Sequence, residues 1–121
     1  MSDALTFFEI PTVDIDRAGK FYEEVLQVKL TSMEGGGESM RLFPAPEPFV
    51  QGALVYREEQ KPSMGGTVVY LRLQGDVDAA IARVKPAGGS VIVPKMSLSG
   101  VPGEFFCLRD TEGNLVGVHG A

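Results

Sequence analysis

The chain carries a single imidazole, His119, and a single thiol, Cys107, so the chemistry open to it is narrow from the outset. Histidine titrates near neutral pH and passes protons when a carboxylate or a substrate lies within reach. Glu9 is the one charge in an otherwise apolar stretch, Leu5 to Ile10, and is the natural carboxylate to weigh against it. Two readings stand for this pair. In one, Glu9 and His119 share a site as base and partner. In the other, Glu9 pairs with a cation such as Arg57, and His119, close to the end of the sequence, frays into solvent. Cys107 lies between Phe106 and Leu108 with no histidine near it in sequence, which describes a buried, inert thiol. One cysteine also excludes an intramolecular disulfide and a cysteine-rich zinc site. Gly35, Gly36 and Gly37 follow one strand and lead into another, so they lack the helix N-terminus of a phosphate-binding loop and read as a hairpin turn.

The elements that must position these groups follow from periodicity. Leu5 to Ile10 alternates with apolar residues on both faces, predicting a strand that Pro11 ends. Asp14 or Asp16 can cap a helix whose Ala18, Phe21, Tyr22, Val25 and Leu26 form one buried stripe. Val28 to Met33 and Ser39 to Phe43 read as a hairpin. Pro44, Pro46 and Pro48 exclude regular structure until Val50 to Arg57, a strand in which Gly52 suggests a bulge. The order then restarts. Thr67 to Leu73 reads as a strand, and Asp76 caps a helix with Val77, Ala80, Ile81 and Val84 on one side. Pro86, Gly88 and Gly89 stop that helix before a strand over Ser90 to Val93. Lys95 to Gly103 reads as an apolar loop suited to a lid or a dimer contact, and Glu104 to Arg109 and Leu115 to His119 as a hairpin around the turn 110–114. Asp14-Ile15-Asp16-Arg17-Ala18 and Asp76-Val77-Asp78-Ala79-Ala80 occupy the same junction 62 positions apart, which marks a duplication. The expected architecture is α+β, one domain over residues 1–121, with two βαβββ modules at about 4–57 and 67–119.

Composition removes several function classes. Eleven basic against 16 acidic residues, without a basic run, argue against a nucleic-acid partner. Apolar stretches stop well short of the roughly 20 residues of a membrane span, and the N-terminal residues do not resemble a secretion signal, so a cytoplasmic protein is expected.

Phe8-Glu9-Ile10-Pro11, Asp14 to Ala18 with Phe21-Tyr22 and Val25-Leu26, Ala87-Gly88-Gly89, and Asp110-Thr111-Glu112-Gly113-Asn114 together resemble the vicinal oxygen chelate superfamily, the glyoxalase and bleomycin-resistance group. The resemblance implies βαβββ modules whose sheets curl around a cleft, usually in a homodimer. Its chemistry ranges from glyoxalase-type isomerisation through ring-cleaving oxygenation to drug sequestration. It also implies one divalent metal held by the first and last strands of each module. Carried over singly, those ligand places fall on Phe7, on Val69 (or Val68 if that strand shifts by one), on Gly117 and near Val55. None offers a donor, and a hard cation needs oxygen or imidazole ligands. No metal cofactor is therefore expected at these places, and the alternative is a displaced site of Glu9, His119 and a substrate oxygen, which two protein ligands make weak. Glu9 and His119 lie two residues beyond Phe7 and Gly117 and would share their sheet face, one pleat further along. The expected function is binding of a small, partly apolar molecule in a cleft lined by Phe7, Val55, Arg57, Val69 and Gly117. The alternatives are a glyoxalase-type lyase or isomerase or a dioxygenase-like enzyme, metal-dependent or using Glu9 and His119, and a subunit that recruits another protein.

Overall fold

The computed structural model describes residues 4–35, 38–47 and 51–120. Chain order is β1 (Phe8–Pro11), α1 (Ile15–Leu26), β2 (Thr31–Gly35), β3 (Glu38–Leu42) and β4 (Gly52–Val55), then β5 (Tyr70–Leu73), α2 (Val77–Val84), β6 (Ser90–Leu98), β7 (Val101–Arg109) and β8 (Leu115–Gly120). The duplicated βαβββ pattern holds. Each half forms a four-stranded sheet, ordered β1-β4-β3-β2 and β5-β8-β7-β6. β1 pairs β4 and β5 pairs β8 in parallel, and the other ladders are antiparallel.

Both helices start where the sequence places them. Asp14 Oδ1 accepts from Arg17 N at 3.1 Å, and Asp76 Oδ2 accepts from Ala79 N at 3.0 Å, satisfying N–H groups that a first turn leaves unpaired. The α1 stripe Ala18, Phe21, Tyr22, Val25 and Leu26 is buried, as are Val77, Ala80 and Val84 of α2. α1 rests on β3 and β4, α2 on β6 and β7, and the helices touch each other. One hydrophobic core therefore runs through both halves, from Ile10 and Leu54 to Leu71, Phe106 and Val118. Each sheet turns one face to this core and the other away from it.

Strand boundaries differ from expectation. β1 begins later than Leu5 and includes Pro11, which an edge strand tolerates. β2 begins at Thr31 instead of Val28, and β5 at Tyr70 instead of Thr67. Gly36, Gly37, Pro48 and Val50 lie outside the described residues. Gly52 marks no bulge, because the ladders on both sides of β4 keep an unbroken register. A Cβ there would sit 2.1 Å from the Phe8 ring, so glycine makes room for an aromatic on the neighbouring strand.

The larger correction concerns Lys95 to Gly103, which is not a loop. β6 and β7 form a long hairpin whose outer part, Leu98 paired with Val101 and Met96 with Phe105, reaches past the Glu104–Gly120 pair that ends the β7–β8 ladder. The β6–β7 register shifts near Pro94, which allows prolines in this edge ribbon.

The repeat also slips by one. Ile10 stands four residues before its cap Asp14, whereas the equally buried Leu73 stands three before Asp76. A slip of one turns every side chain to the other face. At a spacing of 62, core-facing Phe8 and Ile10 thus match exposed Tyr70 and Arg72.

Candidate functional site

The open face of the second sheet is set by β8, which lies between β5 and β7. One row runs Tyr70, Gly117, Cys107 and Val93, and the next runs Arg72, His119, Phe105 and Met96. Residues paired across neighbouring strands share a face with their Cβ atoms roughly 5 Å apart. His119 thus does not fray. It is half-buried in the ladder, flanked by Arg72 and Phe105, and its Nε2 lies 2.6 Å from the Pro102 carbonyl near the tip of the β6–β7 hairpin.

Gly117 is bare because Tyr70 covers it. A Cβ at Gly117 would fall 2.2 Å from the Tyr70 ring. The ring packs edge-on against Phe105 at 5.5 Å between centroids, and the Cys107 thiol donates to Tyr70 Oη across 3.7 Å. That contact, with burial, holds the phenol pKa above its ordinary value. Cys107 itself is buried, as its sequence neighbours suggested. Gly117→Ala should displace the ring and cost about 1–3 kcal/mol in urea unfolding. Placed in a Tyr70→Ala background, the same change should cost under about 0.5 kcal/mol. Equal costs in both backgrounds would mean that the ring is not what Gly117 accommodates.

On the first sheet, alternation places Glu9, Pro11, Ala53, Val55, Met40 and Met33 on the face turned away from the core, where Ala53 and Val55 are fully covered and Met33 is exposed. The charge at its edge is satisfied internally. Arg57 donates from Nη1 to Glu9 Oε1 at 2.6 Å and from Nη2 to Oε2 at 2.9 Å, and Nη1 also reaches Gln60 Oε1 at 3.1 Å. This two-pronged bond from Arg57, partly opposed by burial, keeps the Glu9 carboxyl below its ordinary pKa. A carboxylate so held is a weaker base than a free one. Glu9 and His119 each bond elsewhere, and no hydrogen bond or ion pair joins them among the described residues.

Of the places matched to the superfamily's metal ligands, Phe7 is half-buried just before β1, Val55 is fully buried and Gly117 lies under Tyr70. Val69 packs against the core, on the opposite side from Tyr70, so the shift of one toward Val68 fits this strand. The donors present do not fit a metal. The four side chains are hydrocarbon or hydrogen, and among the described residues no three His, Cys, Asp or Glu side chains converge to hold an ion.

The turn 110–114 proves to be a structural clamp. Glu112, whose side chain is 0% exposed, accepts at Oε1 from Val13 N at 2.8 Å and Asp14 N at 2.7 Å, and at Oε2 from Arg17 Nε at 2.8 Å. Buried Asp110 accepts from Tyr22 Oη at 2.6 Å, from Glu112 N and Asn114 N at 2.9 Å, and from Asn114 Nδ2 at 3.0 Å. Asn114 Nδ2 also donates to Pro11 O at 2.8 Å. At the far end of α1, the Arg83 guanidinium of α2 donates to Val25 O at 2.8 and 3.1 Å. The second half thus binds both ends of α1, and the two open faces take their positions from these contacts.

This arrangement defines a duplicated βαβββ protein with two open sheet faces. The family described as "Glyoxalase/Bleomycin resistance protein/Dioxygenase superfamily" matches residues 4–118, and the chain belongs to it. It is 32% identical over 110 residues to a glyoxylase-like domain-containing protein of Didymella fabae, covering 88% of this chain and 84% of that one. Among solved structures, a glyoxalase/bleomycin resistance protein from Albidiferax ferrireducens aligns with a TM-score of 0.69 at 16% identity, over 98% of this chain and 99% of the other. The fosfomycin resistance protein FosX of Listeria monocytogenes aligns with a TM-score of 0.66 at 14% identity, over 100% and 95%. At these identities the likeness to the solved structures is one of fold.

Proposed function

We propose that this protein binds a small, partly apolar molecule against its open sheet faces, without the superfamily's metal quartet. The observation that carries this reading is Gly117, where a ligand-bearing side chain would have to occupy the space filled by the Tyr70 ring. The open faces otherwise present apolar surface: Met33, Tyr70, Met96, Leu98 and Val101 are each at least 43% exposed. Surface of this kind marks a place for a ligand or a partner chain. A homodimer fits it, since within one chain the edge strands β1 and β5 remain in separate sheets and a second copy can bring two open faces together. A role that does not involve nucleic acid accords with the net charge of −5, and no helix is long and apolar enough to cross a membrane among the described residues.

The catalytic alternative through Glu9 and His119 loses support from the Arg57 bond, which engages both oxygens of the Glu9 carboxylate. Metal analysis of protein purified without chelator should find well under one equivalent of nickel, zinc, manganese or iron per chain. An NMR-monitored screen of small aromatic and aliphatic compounds should move amide signals on the open faces. A stoichiometric metal, or a screen in which those signals never move, would overturn the proposal.

A further inference from the structure

The charges on the two open faces differ in a way that the hydrocarbon surface alone does not explain. On the first sheet, Glu9 neutralises Arg57. On the second, the open-face residues of β5, β7 and β8 are Tyr70 and Arg72; Phe105, Cys107 and Arg109; and Leu115, Gly117 and His119. Two of these are arginines, one is the chain's only imidazole and none is acidic, in a protein whose net charge is −5. The acids near this sheet lie elsewhere: Asp78 and Glu104 gather around Lys95. Neither the Arg72 nor the Arg109 guanidinium has a hydrogen bond or ion pair among the described residues, and both residues are exposed. Arg72 stands beside His119 in the ladder, one row from the Tyr70 ring that lies over Gly117 and against Phe105.

From this juxtaposition we infer that the second sheet's open face is a subsite for a flat organic anion, with Tyr70 and Phe105 as the platform for its apolar body and Arg72 as the contact for its carboxylate. The inference rests on the small-molecule reading above and names the chemical class of the ligand. An unpaired guanidinium presents two parallel N–H groups that match a carboxylate, and ring faces take a planar body with little loss of conformational freedom. His119, whose Nε2 faces the Pro102 carbonyl, is placed beside the same carboxylate position. Bare Gly117 and buried Cys107 leave the Tyr70 ring lying flat along the sheet, where a taller residue at position 117 would stand it upright.

The test is an NMR titration of the purified full chain with two matched probes, cinnamate and its neutral amide cinnamamide. Cinnamate should bind about tenfold more tightly than cinnamamide and shift the amides of Arg72, Gly117 and His119. Arg72→Gln, at an exposed strand position, should remove that tenfold advantage while leaving cinnamamide binding within about twofold. Tyr70→Ala should weaken both probes. Equal affinity of the two probes for the parent, or an advantage that survives Arg72→Gln, overturns the anion subsite while leaving small-molecule binding intact. Failure of both probes to shift any open-face amide overturns the subsite and counts against the broader reading as well.

Discussion

Asp110→Ala is expected to remove about 3–5 kcal/mol of stability, the largest loss from any single truncation considered for this protein. Asp110 is 4% exposed and accepts from four donors: the Tyr22 hydroxyl, two backbone N–H groups and the Asn114 amide. Truncation leaves these groups without their acceptor in a place water does not readily reach, at about 1–3 kcal/mol for each group that stays unpaired. Burial, with Asp110 beside it, holds the Tyr22 hydroxyl well above its ordinary pKa, which favours the protonated form that donates this bond. Tyr22→Phe removes one donor of the four and should cost about 1–2 kcal/mol. Urea unfolding of both single variants and the double variant measures the coupling, and a double-variant loss equal to the sum of the singles would show that the bond does not join the two halves energetically.

The consequence for function is positional. Tyr22 belongs to the first half and Asp110 to the second, so this bond helps decide how the two open faces are disposed. Its two partners are 88 residues apart in sequence. Such a contact cannot be read from spacing, whereas the helices it joins can be. The α1 stripe and both aspartate caps were legible because a helix writes its buried face every three or four residues and caps itself locally. The five residues Asp110 to Asn114 read only as a turn, since a turn is all that local chemistry reveals. The work of Glu112 lies at Val13, Asp14 and Arg17, 95 to 99 positions away.

The β6–β7 hairpin was hidden for a different reason. Pro94, Pro102, Gly100 and Gly103 all signal interruption, yet an edge ribbon with shifting register accommodates them. Of the candidate site, the pairing of Glu9 with Arg57 was foreseeable from charge alone. Tyr70 and Arg72 were not, because the repeat projected onto β5 is out by one residue, and in a strand that is enough to hide the exposed row behind the buried one. Gly52 under Phe8 and Gly117 under Tyr70, both facing aromatic rings, have no local signature at all. Their reason lies on a neighbouring strand.

The acid behaviour of the fold should trace largely to Glu112. Burial works to raise its pKa, but hydrogen bonds from Arg17, the Asp14 N–H, Thr111 and the Val13 N–H outweigh it and lower the value from 4.5 to about 2. Because the folded value lies below the unfolded one, the stabilisation is fully present above about pH 4.5 and is lost as pH falls toward 2. At roughly 1.4 kcal/mol per unit, this linkage amounts to about 3 kcal/mol. Glu112→Gln keeps one oxygen as acceptor for Val13 and Asp14 but removes the charge facing Arg17. At pH 7 it should therefore lose about 2–3 kcal/mol, and its stability should fall much less than the parent's between pH 4.5 and pH 2. The measurement is a series of urea unfolding curves across that window. The parent and variant curves should converge as the pH drops, since protonating the parent removes the same charge that the substitution removes. Curves that stay parallel would place the acid-sensitive group elsewhere and leave Glu112 as a neutral hydrogen-bond acceptor at the start of α1.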